Sequence, residues 1–471
     1  MVPFLPKQIA QRAILIYLIS LVVVSLLFSN YTMKLVYMVI GFSGVCVFFA
    51  LTSYWSQGYR GIKATRFVEF IFILALFIRL GWVAFAYFYY TRLTGMPFEF
   101  DAADSIGYHE EAVWFAGERW KTVMEYYFGP FAYGISDVGY PLYLTFLYKV
   151  FGTGVLLPRI IKAFLSTWTC ILVYKLSVRT FGDEAGRMAG LMCALMPNLV
   201  IYCGYHLKET EMLFLEVAFL ERLDFLLRSR RVRLWNVLLP TVLAGSLFFF
   251  RTILGATAVF AFISAILLAS TPMMKTRWKR TALVGWGVLC LAVFSGGTAV
   301  TEMEALWEEK DDNLSNKRIE QVSRGNQWAH YATGAVMSPM AFVLPFSTMV
   351  NVDEQYGQQE KHGGNYIRNF MGFFALLAIY EAIRRKQWRD FVLIGSFAIA
   401  YLGVVSLSGF SNSERFLLPG LPCLIMMWAY WVSTLRDKTW RLLTPWCLVV
   451  LAMEIGWAYF KLGSRGLFLI V

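Results

Sequence analysis

Apolar runs of about 20 residues, the length needed to cross a ~30 Å hydrocarbon core as helices, recur along most of this 471-residue chain. Backbone N–H and C=O groups in lipid must find partners within their own segment, which favours helices. The pattern predicts an all-α polytopic membrane bundle of about 13 transmembrane helices. The predicted spans are 13–29, 33–54, 67–91, 156–178, 188–206, 209–227, 234–250, 253–270, 282–300, 365–383, 391–410, 415–434 and 441–460.

The composition agrees with a membrane protein. Hydrophobic residues make up 58% of the chain and charged residues only 16%, whereas soluble domains are about half apolar and about a quarter charged. The net charge of +12 does not indicate nucleic-acid binding, because the basic residues form short clusters between spans. The seven cysteines lie in or beside apolar runs with no CxxC pair, so no disulfide or zinc framework is expected.

The basic clusters orient the chain. If Lys7 and Arg12 are cytoplasmic, every second connection between spans should be basic, since Lys and Arg concentrate on the cytoplasmic side. The sequence follows this rule at Arg60/Lys63/Arg66, Arg179/Arg187, Arg228–Arg233, Lys275–Arg280, Arg384–Arg389 and Arg436–Arg441. The two long connections, 92–140 and 301–364, are therefore predicted outside the cytoplasm. Compact loops favour a bacterial inner membrane, with the active site facing the periplasm or exterior.

The first long connection contains the carboxylates that we expect to take part in catalysis. Asp101 and Asp104 lie in an acidic stretch, and Tyr108 and His109 follow one turn later if a helix begins there. A carboxylate can act as a general base on a hydroxyl or hold a divalent cation. An acidic loop that only solvates the outer surface is equally compatible with the spacing. Residues 113–127 show helical apolar spacing and predict an amphipathic helix on the outer interface.

Basic groups are predicted at the same membrane face. Arginine suits phosphate because its planar fork donates hydrogen bonds in pairs, and boundary arginines that face a bundle are often functional. A mixture of carboxylates and basic groups is what a phosphate-bearing lipid substrate would need. The alternative for the turn that carries Lys208 is an interfacial anchor in which Lys208 pairs with Glu209. The candidates at this face are His206, Lys208, Glu209, Arg251, Arg415, Arg159 and Lys162.

Motifs for other chemistries are missing from the sequence. It contains no Walker loop, no GxGxxG after a strand and no HExxH. The missing nucleotide-binding motifs argue against a nucleotide-sugar donor. The four histidines are scattered, which argues against a zinc site.

Four segments resemble GT-C glycosyltransferases, a superfamily that includes the protein O-mannosyltransferase and aminoarabinose-transferase groups. Asp104-Ser-Ile-Gly-Tyr108 is similar to the Asp-x-x-x-Tyr region of the family's first external loop. Gly139–Tyr143 resembles its proline-aromatic segment, and Leu157–Ile160 resembles its early helices. Arg415–Pro422 resembles its late Arg-x-x-x-Pro-x-x-Pro element. The ordered set covers roughly residues 67–435.

The resemblance implies a polyprenyl phosphate sugar as donor, used outside the cytoplasm. It implies a carboxylate base in the first loop, with Asp104 as first choice and Asp101 as second, and Arg415 in contact with donor phosphate. The acidic pair is Asp-Ala-Ala-Asp rather than adjacent carboxylates, which leaves the base and any Mg²⁺ or Mn²⁺ ion open. The implied units are two extra N-terminal spans (1–66), a catalytic core (67–300), the second loop (301–364) and C-terminal spans (365–471).

The leading hypothesis is thus an inverting glycosyltransferase that moves a sugar to an acceptor hydroxyl on a lipid, glycan or protein. Arg415, helped by Arg251 and Lys208, would stabilise the departing polyprenyl phosphate. A polysaccharide polymerase or ligase is the first alternative, with Arg318, Arg324 and His330 of the second loop as its key residues. A lipid-linked sugar transporter or flippase is the second, although no internal repeat typical of transporters is visible.

Overall fold

The computed structural model describes residues 5–58, 61–100, 102–129, 135–229, 233–268, 281, 284–287, 340, 342–352, 355–407, 414–434, 439–463 and 465–467. Every regular element in these ranges is a helix, and the β-pairing among them is a single isolated bridge between Thr32 and Val350. The prediction of an all-α protein is therefore confirmed for this part of the chain.

The helices follow the apolar runs. They are α1 (Lys7–Leu27), α2 (Leu35–Cys46), α3 (Thr52–Gly58), α4 (Ala64–Thr94), α5 (Ala103–Gly117), α6 (Trp120–Phe128), α7 (Gly139–Phe151), α8 (Leu156–Phe181), α9 (Asp183–Leu195), α10 (Pro197–Gly204), α11 (Glu209–Arg228), α12 (Leu234–Phe250), α13 (Thr252–Leu268), α14 (Tyr356–Glu360), α15 (His362–Arg384), α16 (Trp388–Leu407), α17 (Glu414–Leu417), α18 (Leu421–Ser433) and α19 (Thr439–Gly463). A π-turn over Val47–Leu51 joins α2 and α3 into one span.

Within the described ranges, eight helical segments are long and apolar enough to cross a membrane. A ninth arises if α9 and α10, which meet at 42°, form one broken span. Sequence reasoning placed a single run at 188–206, but Pro197 opens a new helix there, a position where its missing N–H costs nothing. Helices α12 and α13 have only 17 residues each, and most of 282–300 lies outside the described residues. The count of about 13 stays a prediction.

The first long connection differs from expectation. Instead of one amphipathic helix it forms α5 and α6, and the chain is extended at Glu118 between them. The two helices fold over a small apolar cluster of Phe115, Val123, Tyr127 and Val138. The short apolar segment that follows becomes α7. Helix α5 begins at Ala103, so Asp104 lies in its first turn, where the helix dipole favours a carboxylate.

The second long connection is described only near its end. Residues 342–352 contain no helix. That the loop 301–364 contains a re-entrant or interfacial segment stays a prediction. Asn351 donates a backbone hydrogen bond to Tyr31 at 2.7 Å, so this segment lies against the turn between α1 and α2. The first connection, the α10–α11 turn and the start of α17 meet at the site described next.

Candidate active site

A carboxylate and a guanidinium meet where the first connection approaches α17. Arg415 donates from Nη1 to Oδ2 of Asp104 and from Nε to Oε1 of Glu209. Asp104 remains 56% exposed, whereas the side chain of Arg415 is 20% exposed and that of Glu209 is fully buried. Three of the residues chosen from the sequence are thus in direct contact, although they come from three distant parts of the chain.

Glu209 holds a second guanidinium beside the first. Nη2 of Arg251 lies 3.6 Å from the same Oε1 of Glu209. Arg251 also donates to the Tyr401 hydroxyl at 3.2 Å and lies over the Phe416 ring at 4.6 Å. Because a buried charge is costly unless it is paired, Glu209 and its two arginines form one interdependent unit.

Lys208 extends this basic region. Its ammonium is buried, forms an ion pair with Asp137 and donates to the Phe250 carbonyl at 3.1 Å. The alternative of an interfacial turn with a Lys208–Glu209 pair is wrong, because these neighbours have different partners. Burial, reinforced by nearby Arg251, lowers the pKa of Lys208 to about 7.

A second group of predicted residues lies beneath α5. The Tyr148 hydroxyl is 2.8 Å from Nδ1 of His109 and 3.2 Å from Nε2 of His206. Burial lowers the pKa of both imidazoles, and that of His206 falls well below its usual value. Nη2 of Arg159 lies 3.9 Å from Oε2 of Glu99. These contacts support α5 on α7 and α8.

Tyr108 also belongs to the group of residues that holds α5 against α7 and α8. Its ring meets the Tyr140 ring edge-on at 5.2 Å, and burial raises the pKa of its hydroxyl. Tyr108, His109, His206 and Arg159 do not belong to the lining of the cavity that Asp104 and Arg415 border. Their assignment to substrate binding stays a prediction.

That cavity has a volume of about 180 Å³. Its lining includes Asp104 and Arg415, together with a polar group that the sequence did not indicate: Lys361, Glu414 and Asn365. Nζ of Lys361 lies 3.2 Å from Oε2 of Glu414 and 5.1 Å from the centre of the Tyr202 ring. Asn198 donates to Oε1 of the same carboxylate at 2.6 Å.

The position of Glu414 explains why it was missed. It is next to Arg415, and residues in a helix are about 100° apart around the axis at 3.6 residues per turn. The side chains of Glu414 and Arg415 therefore point in different directions, and each pairs with a different group in the cavity lining. Lys361 offered no sequence signal, because it follows a long connection whose path is unknown from sequence. The acidic neighbour of a candidate arginine was the one available clue.

Among the residues that the structure describes, no group of three or more His, Cys, Asp or Glu side chains is arranged to hold a metal ion. The carboxylates of Asp104 and Glu414 face Arg415 and Lys361 instead. An Mg²⁺ or Mn²⁺ ion stays a prediction. Asp101 and the second-loop residues Arg318, Arg324 and His330 lie outside the described ranges.

Comparisons with known proteins give a distant structural likeness. No family model matches the chain, and neither does any curated protein. A solved structure of the oligosaccharyltransferase AglB from Archaeoglobus fulgidus, with an inhibitory peptide and a dolichol-phosphate, is 15% identical with a TM-score of 0.46. The alignment covers 88% of this chain and 56% of that one. The apo form is 15% identical, with a TM-score of 0.45 and coverage of 85% and 55%.

The chain therefore spans about half the length of the solved structures it matches. At these TM-scores and identities the likeness carries no functional inference. The function proposed below depends on the site and on the residues that resemble GT-C motifs.

Proposed function

We propose that this chain is an integral membrane glycosyltransferase that moves a sugar from a polyprenyl phosphate carrier to an acceptor hydroxyl, with inversion. The observation that carries the proposal is the contact between Asp104 and Arg415 at the edge of a polar cavity. A base for the acceptor and a cation for the leaving phosphate are the two groups that this reaction requires. The proposed setting is a bacterial inner membrane, with the site facing the periplasm.

Asp104 is the proposed general base. Its carboxylate is more than half exposed and lies in the first turn of α5, where an acceptor hydroxyl can reach it. As the acceptor oxygen bonds to the anomeric carbon, the bond from that carbon to the phosphate oxygen breaks. The phosphate leaves with the electron pair, and Asp104 takes the hydroxyl proton. Attack opposite to the leaving group inverts the anomeric centre.

Arg415 is the proposed phosphate ligand. It lines the cavity, whereas Arg251 and Lys208 lie behind it and raise the positive potential at the same place. Fixed positive groups that stabilise the charge developing on the leaving group in the transition state commonly make the largest contribution to catalysis. Glu209 keeps the two guanidinium groups in position, because both contact the same carboxylate oxygen.

The second polar group of the cavity lining is the proposed sugar site. Sugars offer hydroxyls that need both donors and acceptors, and Lys361, Glu414 and Asn365 supply both kinds. The rings of Tyr202 and Tyr205 border the same space. Few polar groups among aromatic side chains are typical of small-molecule sites.

One experiment tests the reaction class. We expect a deletion strain to accumulate a polyprenyl phosphate sugar and to lack one sugar in an envelope lipid, glycan or protein, as measured by mass spectrometry. The wild-type gene should restore the product. Unchanged lipid-linked sugars and envelope polymers would contradict transfer. Counterflow of labelled substrate in proteoliposomes without a covalent product would indicate a transporter instead.

The pKa of Lys208 predicts a pH dependence. Because that pKa is lowered to about 7, Lys208 is charged below this pH and loses its proton above it. Affinity for the anionic donor should therefore fall as the pH rises through about 7. Lys208→Arg, which stays charged, should flatten the dependence. Donor KM measured across neutral pH for both proteins provides the check, and identical profiles would contradict the assignment.

Lys361 gives a further prediction. Lys361→Ala should raise the donor KM roughly tenfold to a hundredfold, since a hydrogen bond to a charged group contributes about 1.5–3 kcal/mol. Lys34→Ala is the matched control, because Lys34 also lies over a tyrosine ring, that of Tyr356 at 4.4 Å, but outside the cavity lining. Equal effects of the two substitutions on KM would remove Lys361 from the site.

A further inference from the structure

A buried arginine lies near the middle of α4. Arg79 is 0% exposed, although α4 is long and apolar enough to cross the membrane. A charged side chain at this depth of a span is costly and usually has a specific role. In the part of the chain that the structure describes, every hydrogen-bond acceptor of Arg79 is a neutral group. The role of the charge therefore follows from those acceptors.

The guanidinium uses all of its N–H groups. Nη1 donates to the carbonyls of Ala194 at 3.1 Å and Ala75 at 3.2 Å. Nη2 donates to the Cys193 carbonyl at 3.2 Å and to Sγ of Cys170 at 3.3 Å. Nε donates to Oγ of Ser166 at 2.7 Å. Because a guanidinium carries five N–H donors in a fixed plane, this site satisfies it completely.

Two of these acceptors lie at the break between α9 and α10. Cys193 and Ala194 are in the last turn of α9, where carbonyls lack partners within the helix. The residue four positions after Cys193 is Pro197, which has no N–H to donate. Arg79 supplies donors in its place, and its positive charge lies at the negative end of the α9 dipole. The proline removes a backbone hydrogen bond from the span, and the arginine replaces it from α4.

Helix α4 also holds the far end of α10. Trp82, almost one turn after Arg79, donates from Nε1 to the Ile201 carbonyl at 3.2 Å. A Cβ on Gly204 would lie 2.8 Å from this indole nitrogen, so the end of α10 packs closely on α4. The direction of α10 after the 42° bend is therefore set by contacts with α4 at both of its ends.

Helix α10 in turn holds a carboxylate of the cavity. Asn198 donates to Oε1 of Glu414 at 2.6 Å, and the Tyr202 hydroxyl donates to Oε2 at 3.0 Å. These two donors are four residues apart and lie on one face of the helix. Lys361 pairs with the same Oε2. A change in the direction of α10 would move both donors relative to Glu414 at once.

We propose that Arg79 is a positioning residue for the sugar site, because it holds the bend that directs α10 toward Glu414. The inference rests on the proposed function, since it takes Glu414 as a ligand of the donor sugar. Arg79 does not belong to the cavity lining, so its effect reaches the sugar through α10. Arg415, the proposed phosphate ligand, contacts Asp104 and Glu209 instead, so phosphate binding should depend on Arg79 much less.

Two variants separate this role from a contribution to stability alone. Arg79→Met leaves carbonyls of α9 without donors in the protein interior, so the melting temperature in detergent should fall. Adding Pro197→Ala gives the Cys193 carbonyl a backbone N–H partner and lets α9 and α10 join into one straight helix. The double variant should therefore regain part of the lost stability. The sugar site should not recover, because a straight α10 directs its two donors away from Glu414.

Binding to the purified full-length protein distinguishes sugar from phosphate. The probes are the polyprenyl phosphate sugar purified from the deletion strain and sugar-free undecaprenyl phosphate. The double variant should bind the sugar-bearing lipid about tenfold more weakly, the effect of losing one hydrogen bond to a charged group, and the sugar-free lipid as wild type does. Arg187→Met is the matched control, since Arg187 of α9 also donates to a backbone carbonyl, that of Ile62 at 2.9 Å, but far from the break; it should bind both lipids normally.

Arg79→Lys serves if the double variant is not stable enough to purify. The ammonium keeps the charge at the end of α9 but has only three donors, so it cannot replace the whole set of hydrogen bonds. This variant should fold and show the same selective loss of the sugar-bearing lipid to a smaller degree. Wild-type affinity of Arg79→Lys for both lipids would contradict the positioning role.

A cryo-electron microscopy structure of the double variant gives a readout that needs no ligand. The angle between α9 and α10 should fall well below 42°, and the contacts of α10 with Glu414 should be lost. A retained bend with those contacts intact would overturn the inference, and so would an equal loss of affinity for both lipids. Failure of the wild-type protein to bind either lipid would overturn the proposed function, while the angle would still decide whether Arg79 and Pro197 set the bend.

Discussion

Asp104→Asn should abolish sugar transfer while the protein still folds and binds its donor. The asparagine keeps the size and position of the side chain at the start of α5, but it cannot accept the acceptor's proton. Losing a general base typically costs about 10²–10⁴-fold in rate. We expect kcat to fall by this amount, with little change in donor KM, in a transfer assay with purified protein and polyprenyl phosphate sugar.

The control for Asp104→Asn comes from the same helix. Glu110 is an exposed carboxylate of α5 and is not part of the cavity lining, so Glu110→Gln should transfer at the wild-type rate. Equal losses in the two variants would indicate a general effect of charge on α5. Full transfer by Asp104→Asn would remove Asp104 from the mechanism and leave Asp101 as the candidate base.

The helices could be predicted because apolar length is a local property of the sequence. The described spans of α1, α4, α8 and α15 follow the predicted runs closely, with ends that differ by a few residues. Finer features depend on packing. The break between α5 and α6 at Glu118 and the bend at Pro197 required tertiary context, although Pro197 was visible in the sequence.

The residues of the candidate site could be predicted only where they belong to a short sequence motif. Asp104 and Arg415 were chosen from short patterns, and the structure brings them into contact. The partners of Lys208 and Glu209 could not be predicted in the same way, because these adjacent residues pair with groups on distant segments of the chain. Glu414 and Lys361 meet across a fold that no local pattern encodes. Charge pairing in a bundle is decided by helix packing.

The Arg415→Ala variant should transfer sugar more slowly and should also be less stable, and these two effects can be separated. Removing the guanidinium leaves Glu209 fully buried with Arg251 at 3.6 Å as its remaining arginine partner. Breaking a buried pair costs about 3–5 kcal/mol, and we expect about 3 kcal/mol because Arg415 is 20% exposed. The melting temperature in detergent should fall accordingly.

A double variant isolates the catalytic part of this effect. Arg415→Gln with Glu209→Gln removes both charges together, so the stranded carboxylate disappears. Arg251 then loses its carboxylate and keeps only the contacts to the Tyr401 hydroxyl and the Phe416 ring among those described above, so the melting temperature should rise part of the way back to wild type. Transfer should stay about 10²–10³-fold low, the usual cost of removing one donor that stabilises developing charge. Arg415→Lys should be stable but slow, because an ammonium lacks the planar fork that reaches Asp104 and Glu209 together. Wild-type transfer by the stable double variant would mean that Arg415 serves only as the counter-charge of Glu209, and the leaving phosphate would then need another cation.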